Sequence, residues 1–305
     1  MGESGKKKVI VVKMIKKVLK GRSLTIMKRF MLKALSILAM EIPQVPCACT
    51  IAGSDPSGGA GIQSDIRTFS ALGVWGLSVI TAVTSQNAKN VRGTWNVPED
   101  AIRLQLVTLL EDFDVKAFKT GMLPDRGAVA AVVWSVPKGI PLVVDPVMVS
   151  SSGRPLMDPG AVSELVEGLI PMATLVTPNL PEAEVLSGSG PIRTVDDMRA
   201  AARIIMMEGP AYVLVKGGHL PKSDDVVPDL LIGHEREWVF SAERLPFETH
   251  GSGCCLSAAI TGYVALGNEV PAGCAAAKEF VWHAIGRSFT TKSGCHMVNP
   301  GFSGI

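Results

Sequence analysis

Cysteine is scarce in this chain, and its spacing matches no common framework. The six cysteines stand at positions 47, 49, 254, 255, 274 and 295 of 305. They have neither the spacing of a zinc finger nor the density of a small disulfide-stabilised domain. A reducing compartment is therefore expected, and we predict a cytoplasmic protein.

Long apolar runs are missing from the first part of the chain. The longest uncharged apolar run there is 34–40, and Lys28, Arg29 and Lys33 interrupt the apolar stretch around it. A membrane-spanning helix needs about 20 apolar residues, and a signal peptide needs one compact apolar core behind a short basic end. We expect neither a membrane span nor a signal peptide.

Acidic residues are nearly absent from the start of the chain. The first 40 residues contain 11 lysines and arginines against one acid, Glu3, whereas the remainder has 19 basic and 27 acidic residues. This division predicts a basic extension over residues 1–45, disordered or not native, and a single domain over residues 46–305. The extension is either a basic amphipathic segment that touches a membrane or nucleic acid or sequence upstream of a true start at Met40. We favour the second, and an acidic body that repels phosphate backbones predicts no nucleic-acid partner.

The body of the chain alternates apolar β-rich runs with amphipathic stretches. Because the runs are mostly apolar, they are expected to be buried on both faces, as strands of parallel sheets are. The predicted strands are 47–52, 77–84, 115–120, 140–145, 173–177 and 212–216, with an edge hairpin over 230–240. The pattern predicts an α/β fold with a mostly parallel central sheet and helices on both faces.

Polar or glycine-rich loops follow several of these strands, where ligands bind in open α/β sheets. The first loop, at 53–61, lacks both the glycine spacing of a dinucleotide fingerprint and the Lys-Ser/Thr of a P-loop. Asp145 ends another strand, and Asn179 and Glu182 follow the next. Asn179 and Glu182 also have the spacing of a helix capping box, and Asp145 is open to interpretation as a simple turn residue.

The segment 249–257, Thr-His-Gly-Ser-Gly-Cys-Cys-Leu-Ser, is the most informative part of the chain. It sets Gly251 and Gly253 at the start of a run of small and apolar residues that favours a buried helix. Free N–H groups at such a helix start bind anions, phosphate above all. Cys254 lies in the first turn, where the helix dipole is expected to lower the thiol pKa. The alternative is a glycine-rich cap on a core helix with two buried cysteines.

Seven motifs, in one order along residues 47–290, carry a resemblance to a known family. The chain resembles the hydroxymethylpyrimidine/phosphomethylpyrimidine kinases of thiamine biosynthesis. The motifs are residues 53–65, 86–87, 120–123, 145–148, 177–182, 216–219 and 250–254. The resemblance implies a ribokinase-like fold. It also implies that the chain phosphorylates 4-amino-5-hydroxymethyl-2-methylpyrimidine, and then its monophosphate, with ATP and Mg²⁺.

The resemblance also implies a role for residues at matching positions. The pyrimidine pocket is expected to be lined by Gly53, Asp65, Gln86, Met122 and Val147. The catalytic anion hole is expected to consist of Gly251, Gly253 and Cys254, with Cys254 as the base. The nucleotide is expected to contact Lys216, Asn179 and Ser252. Mg²⁺ is expected at Asp145 and Glu182.

Small departures from the family pattern leave alternatives open. Ser252 and Cys255 stand where threonine is usual, and Ser64 stands where alanine is usual. A pyridoxal or pyridoxine kinase of the same fold is the nearest alternative, although the loop 148–155 lacks the cysteine of dual-cysteine pyridoxal kinases. A non-catalytic nucleotide-binding regulator is a second alternative, which the intact motifs disfavour. We expect a homodimer.

Overall fold

The computed structural model describes residues 44–150, 153–221 and 225–301. The predicted extension over residues 1–45 lies outside them except for its last two residues. The strands of the main sheet are β1 Cys47–Ser54, β2 Trp75–Gln86, β3 Val91–Asn96, β4 Val115–Thr120, β5 Leu142–Val144, β6 Leu175–Val176, β7 Tyr212–Lys216, β8 Val226–Gly233 and β9 Glu237–Glu243. Their order across the sheet is β3-β2-β1-β4-β5-β6-β7-β8-β9.

The six strands in the middle of this sheet, β2-β1-β4-β5-β6-β7, run parallel. The edge strands β3, β8 and β9 pair antiparallel to their neighbours. The sequence prediction gave the bounds of β4 and β7 correctly, and the predicted edge hairpin is the β8–β9 pair. Strand β3 was not predicted, because only Val91 of its six residues is buried and no apolar run marks it.

Helices cover both faces of the sheet, as predicted. They are α1 Gly61–Ala71, α2 Glu99–Leu110, α3 Arg126–Ser135, α4 Pro159–Glu164, α5 Leu180–Ser187, α6 Val195–Met206, α7 Ser252–Ala265 and α8 Val270–Gly286. None of the helices in the described part of the chain is long and apolar enough to cross a membrane.

Alternate side chains of the central strands pack into two separate hydrophobic cores. Leu142 and Val144 of β5 pack in the core beneath α2 to α6, whereas Val143 packs beneath α7 and α8. Successive side chains of a strand point to opposite faces, so an unbroken apolar run is what a sheet covered on both sides requires.

Two loops at the carboxyl end of the sheet pack against each other through glycines. A Cβ added at Gly251 would lie 1.8 Å from the Gly59 carbonyl oxygen, and one added at Gly59 would lie 2.1 Å from Met297 Cε. Met297 belongs to a small sheet of β10 Thr249–His250, β11 Phe289–Thr290 and β12 His296–Met297. This small sheet therefore holds the loop before α7 against the loop after β1.

We predict that Gly251→Ala destabilises the protein far more than Gly139→Ala. Both glycines have left-handed backbones, at φ +90° and +89°, which cost an alanine about 1–2 kcal/mol. An added Cβ meets nothing within 4 Å at Gly139. At Gly251 it meets a backbone oxygen, and overpacking of this kind costs about 1–3 kcal/mol more. Urea unfolding of the two variants measures the difference, and equal losses would contradict the close approach of the two loops.

Candidate active site

Asp145 stands directly after β5 and lies at the centre of a polar cluster. Its Oδ1 accepts hydrogen bonds from Lys216 Nζ at 2.9 Å and from Thr177 Oγ1 at 3.3 Å. Its Oδ2 accepts one from Ser257 Oγ at 2.9 Å. The Asp145 side chain is 2% exposed, so these donors replace the water that a buried carboxylate loses. One carboxylate therefore ties the ends of β5, β6 and β7 to the second turn of α7.

Lys216 ends β7, and its ammonium lies between two carboxylates and the start of α7. The Nζ atom is 2.9 Å from Asp145 Oδ1 and 4.0 Å from Glu182 Oε2. A Cβ added at Gly253 would lie 3.6 Å from the same nitrogen. Burial lowers the pKa of Lys216, but the attraction of Asp145 and Glu182 raises it by more. The lysine therefore stays charged beside the helix start.

The first turn of α7 is less buried than the two turns that follow it. Gly251 is its N-cap, residues 251–254 are half-buried, and residues 255–262 are buried. The first N–H groups of a helix have no partner within the helix, and they carry its positive partial charge. Together with the Lys216 ammonium they form a site suited to a phosphate group.

Asn179 and Glu182 form the capping box that opens α5. The Asn179 N–H donates to Glu182 Oε2 at 2.8 Å, and the Glu182 N–H donates to Asn179 Oδ1 at 2.9 Å. The interpretation of this pair as a capping box is therefore correct. Glu182 nevertheless also belongs to the polar cluster around Asp145, because the capping box directs its carboxylate toward Lys216.

The carboxylates of Asp145 and Glu182 fit a magnesium ion that is held mainly by phosphates. Among the residues described here, no group of three or more His, Cys, Asp or Glu side chains could hold a metal ion by itself. Mg²⁺ is commonly bound by one or two carboxylates together with water and substrate phosphates. The pKa of Glu182 is raised to about 7, chiefly by burial and also by Asp145, against the opposing attraction of Lys216. A cation would supply the positive charge that this buried carboxylate lacks.

The thiol pKa of Cys254 is raised, whereas the sequence predicted a lowered one. Burial raises the pKa of Cys254 to about 11, against the opposing effects of the Lys119 charge and of a hydrogen bond from the Gly61 N–H. The expectation of a lowered pKa was wrong, because the loss of hydration costs a thiolate more than the partial charge of one helix start returns. Any base role for this sulfur therefore depends on its charged neighbours.

Asp65 is not presented to a ligand, and the expectation that it contacts the pyrimidine ring is corrected. Its side chain and that of Lys119 are both 0% exposed. Asp65 Oδ2 accepts hydrogen bonds from Lys119 Nζ at 2.8 Å and from Thr50 Oγ1 at 2.6 Å. Lys119 was missed by the sequence analysis, although a lysine at the end of an apolar strand was a usable signal.

The other residues expected to contact the pyrimidine lie at the ends of β1, β2, β4 and β5. A Cβ added at Gly53 would lie 3.0 Å from Met122 Sδ, so these two residues are in contact. Thr84 Oγ1 lies within hydrogen-bond distance of the Ser54 carbonyl oxygen, at 3.0 Å, and of Gln86 Oε1, at 3.3 Å, which brings Gln86 to the same loop. Val147 is half-buried three residues after the end of β5.

Comparison with known proteins identifies the family. The sequence model of the phosphomethylpyrimidine kinase family matches residues 55–299. The chain belongs to this family. A hydroxymethylpyrimidine/phosphomethylpyrimidine kinase of Streptomyces coelicolor is 41% identical over 85% of this chain and 95% of its own length.

Relatives that are named for a different activity are also similar to this chain. A pyridoxine kinase of Bacillus subtilis is 42% identical over 79% of this chain and 91% of its own length. The structure of the pyridoxal kinase from Staphylococcus aureus in complex with AMP-PCP and pyridoxal has a TM-score of 0.77 and 32% identity, and it covers 85% of this chain and 94% of that one. The predicted ribokinase-like α/β fold and the assignment to a kinase family are confirmed.

We predict that two capping boxes of this family member contribute equally to stability and unequally to activity. Thr194 caps α6 with Asp197 in the same way that Asn179 caps α5. Asn179→Ala and Thr194→Ala should each lower the free energy of unfolding by about 1 kcal/mol. Only Asn179→Ala should also lower kinase activity, by about tenfold, because Glu182 then loses the cap that holds its carboxylate in the charged cluster. Equal activity of the two variants would contradict a functional role for this cap.

Proposed function

We propose that the protein is an ATP- and Mg²⁺-dependent kinase that phosphorylates 4-amino-5-hydroxymethyl-2-methylpyrimidine and then its monophosphate in thiamine biosynthesis. The observation that carries the proposal is the Lys216 ammonium beside the half-buried first turn of α7, in a member of the phosphomethylpyrimidine kinase family. Phosphoryl transfer needs positioning and charge neutralisation more than covalent chemistry. A lysine, a helix start and two carboxylates supply both.

The nucleotide phosphates are proposed to bind at the start of α7. The N–H groups around Gly251 and Gly253 would face the transferred phosphate, with Ser252 at its side. Lys216, near the same turn, would balance the charge on the phosphate oxygens. Asn179 would act through the cap that fixes α5.

Magnesium is proposed to be held by Asp145 and Glu182 together with the nucleotide phosphates. When bound, it would neutralise charge on the phosphates. The protein's part is to hold the two carboxylates at this end of the sheet. Lys216 and Ser257 fix Asp145, and Asn179 fixes Glu182.

The acceptor ring is proposed to lie where Gly53 and Met122 meet, with Gln86 and Val147 at its edges. The absence of a side chain at Gly53 allows a flat ring to approach the backbone. The Gln86 amide can both donate and accept hydrogen bonds, which suits a ring that carries an amino group beside a ring nitrogen. Gln86 is half-buried, so such bonds would be partly shielded from water.

Cys254 is proposed as the base for the first transfer only. Its sulfur would take the proton of the neutral hydroxymethyl group as that oxygen attacks the terminal phosphorus of ATP, and ADP would leave. In the second transfer the attacking oxygen belongs to a phosphate and is already anionic. It needs no base, so the two steps make different demands on one site.

We expect hydroxymethylpyrimidine to be phosphorylated at least about tenfold faster than pyridoxal at equal subsaturating concentrations, the worth of one pocket hydrogen bond. The measurement is incubation with MgATP and each acceptor, followed by mass analysis of the products. Equal or inverted rates would favour a pyridoxal or pyridoxine kinase, the alternative that the Bacillus relative supports. No phosphorylation of any acceptor would favour a non-catalytic nucleotide-binding protein.

Replacement of Cys254 should separate the two transfers. Cys254→Ala is expected to slow the first phosphorylation by about 10² or more, the usual worth of a general base, and to slow the second much less. Cys255→Ala is the control, because Cys255 is fully buried and accepts a hydrogen bond from Thr68. It should affect stability more than either rate in single-turnover measurements. An equal loss in both transfers for Cys254→Ala would remove the base assignment.

We propose that residues 46–305 form one kinase domain, which the continuous sheet from β1 to β9 supports. The six free cysteines support a reducing compartment such as the cytoplasm. A homodimer is supported by the half-exposed Val83 and Trp95, which pair across β2 and β3 at the edge of the sheet.

A further inference from the structure

The Lys119–Asp65 pair is unlike the other ion pairs in the described part of the chain, because both of its side chains are completely buried. Asp65 Oδ2 holds Lys119 and Thr50, while Asp65 Oδ1 is buried without a hydrogen-bond partner. Burial of two charges is costly, and apolar side chains of similar size often give equal or greater stability. Stability alone is therefore a poor explanation for this pair.

The position of the pair points to another role. Lys119 is the last but one residue of β4, and a Cβ added at Gly121 would lie 3.2 Å from its Nζ. The ammonium thus lies at the carboxyl end of the sheet, where the proposed site is. Asp65 lies in the second turn of α1, and that helix contacts α7 through the hydrogen bond from Thr68 Oγ1 to Cys255 Sγ, 3.6 Å long.

Helix α7, which carries Cys254 in its first turn, packs against both β4 and α1. The N–H of Gly61, the first residue of α1, donates to the Cys254 sulfur, and the charge of Lys119 acts on it from β4. The negative charges that face it are Asp145 after β5 and Asp65 on α1, and Lys216 on β7 also interacts with it. Burial raises the pKa of this thiol, and Lys119 makes the largest opposing contribution. Burial lowers the pKa of Lys119 itself, but the negative charges around it, with Asp65 the largest contributor, together raise it by more, so a positive charge persists there.

We propose that Lys119, held by Asp65, is a positioning residue for Cys254, and that its buried ammonium stabilises the thiolate that accepts the proton of the hydroxymethyl group. The proposal rests on the proposed function. The proton passes from the acceptor oxygen to the Cys254 sulfur, a bond forms between that oxygen and the terminal phosphorus, and the bond to the ADP oxygen breaks. Since a phosphate acceptor has no proton to give up at pH 8, the effect of Lys119 is confined to the first transfer.

The test uses a variant that removes both charges and keeps the volume, Lys119→Met with Asp65→Leu. This variant avoids an unpaired buried charge and should remain folded, as checked by circular dichroism and urea unfolding. We expect it to slow the first phosphorylation by about 10², as Cys254→Ala does, and to leave the second within about threefold of the wild type. A loss of both transfers to the same degree, or of neither, would overturn the proposal.

A second measurement does not depend on kinase activity. The alkylation rate of Cys254 by iodoacetamide, followed by peptide mass spectrometry from pH 7 to pH 10, reports the thiolate directly. The double variant should react several-fold more slowly than the wild type, and Asp65→Asn, which removes a negative charge and keeps Lys119, should react faster. If the pair were merely structural, the alkylation rate of Cys254 would change in the same direction in both variants. That result would overturn the proposal.

The controls separate this inference from the proposed function. If the wild-type protein fails to phosphorylate hydroxymethylpyrimidine, the proposed function is wrong, while the opposite alkylation shifts would still support the action of Lys119 on Cys254. If Cys254→Ala slows the first transfer and the double variant does not, the proposed function stands and the role of Lys119 is overturned.

Discussion

The hydrogen-bonded Asp145 carboxylate is the interaction on which the candidate site depends. Lys216, Thr177 and Ser257 come from β7, the end of β6 and α7, and all three donate to it. Neighbouring parallel strands alone would not fix the rotation of α7 above the sheet. Because Ser257 reaches Asp145 from the second turn of α7, the first turn of that helix is aimed at the space beside Lys216.

The buried polar cluster at the carboxyl end of the sheet has a net negative charge. The buried carboxylates of Asp145, Glu182 and Asp65 outnumber the two buried ammonium groups of Lys216 and Lys119. The cluster therefore carries a net negative charge that a cation would balance. The free N–H groups at the start of α7 carry a positive partial charge that an anion would balance. A nucleotide that arrives with a divalent cation would bring both charges at once, which would explain how a net acidic cluster and the proposed phosphate site lie side by side.

Proline and burial explain where the sequence-based prediction of the fold succeeded and where it failed. Strands β4 and β7 contain no proline, and their bounds were predicted correctly. Strands β5 and β6 are shorter than predicted. Pro141 and Pro146 flank β5, and Pro178 follows soon after β6, and a proline has no N–H to donate to the ladder of hydrogen bonds. Strand β3 escaped prediction because a half-exposed edge strand has no continuous apolar run.

The sequence by itself determined the order of the motifs, the α/β pattern and the glycines that allow two loops to meet. Those features are local, because a glycine, a capping pair or an apolar run carries its signal within a few residues. The tertiary structure alone decided that Asp65 faces Lys119, 54 residues away, and that Cys254 lies among charges from four other elements. The ionisation of a buried group depends on the sum of its hydration loss and of every nearby charge. That sum is set by residues that only the fold brings together.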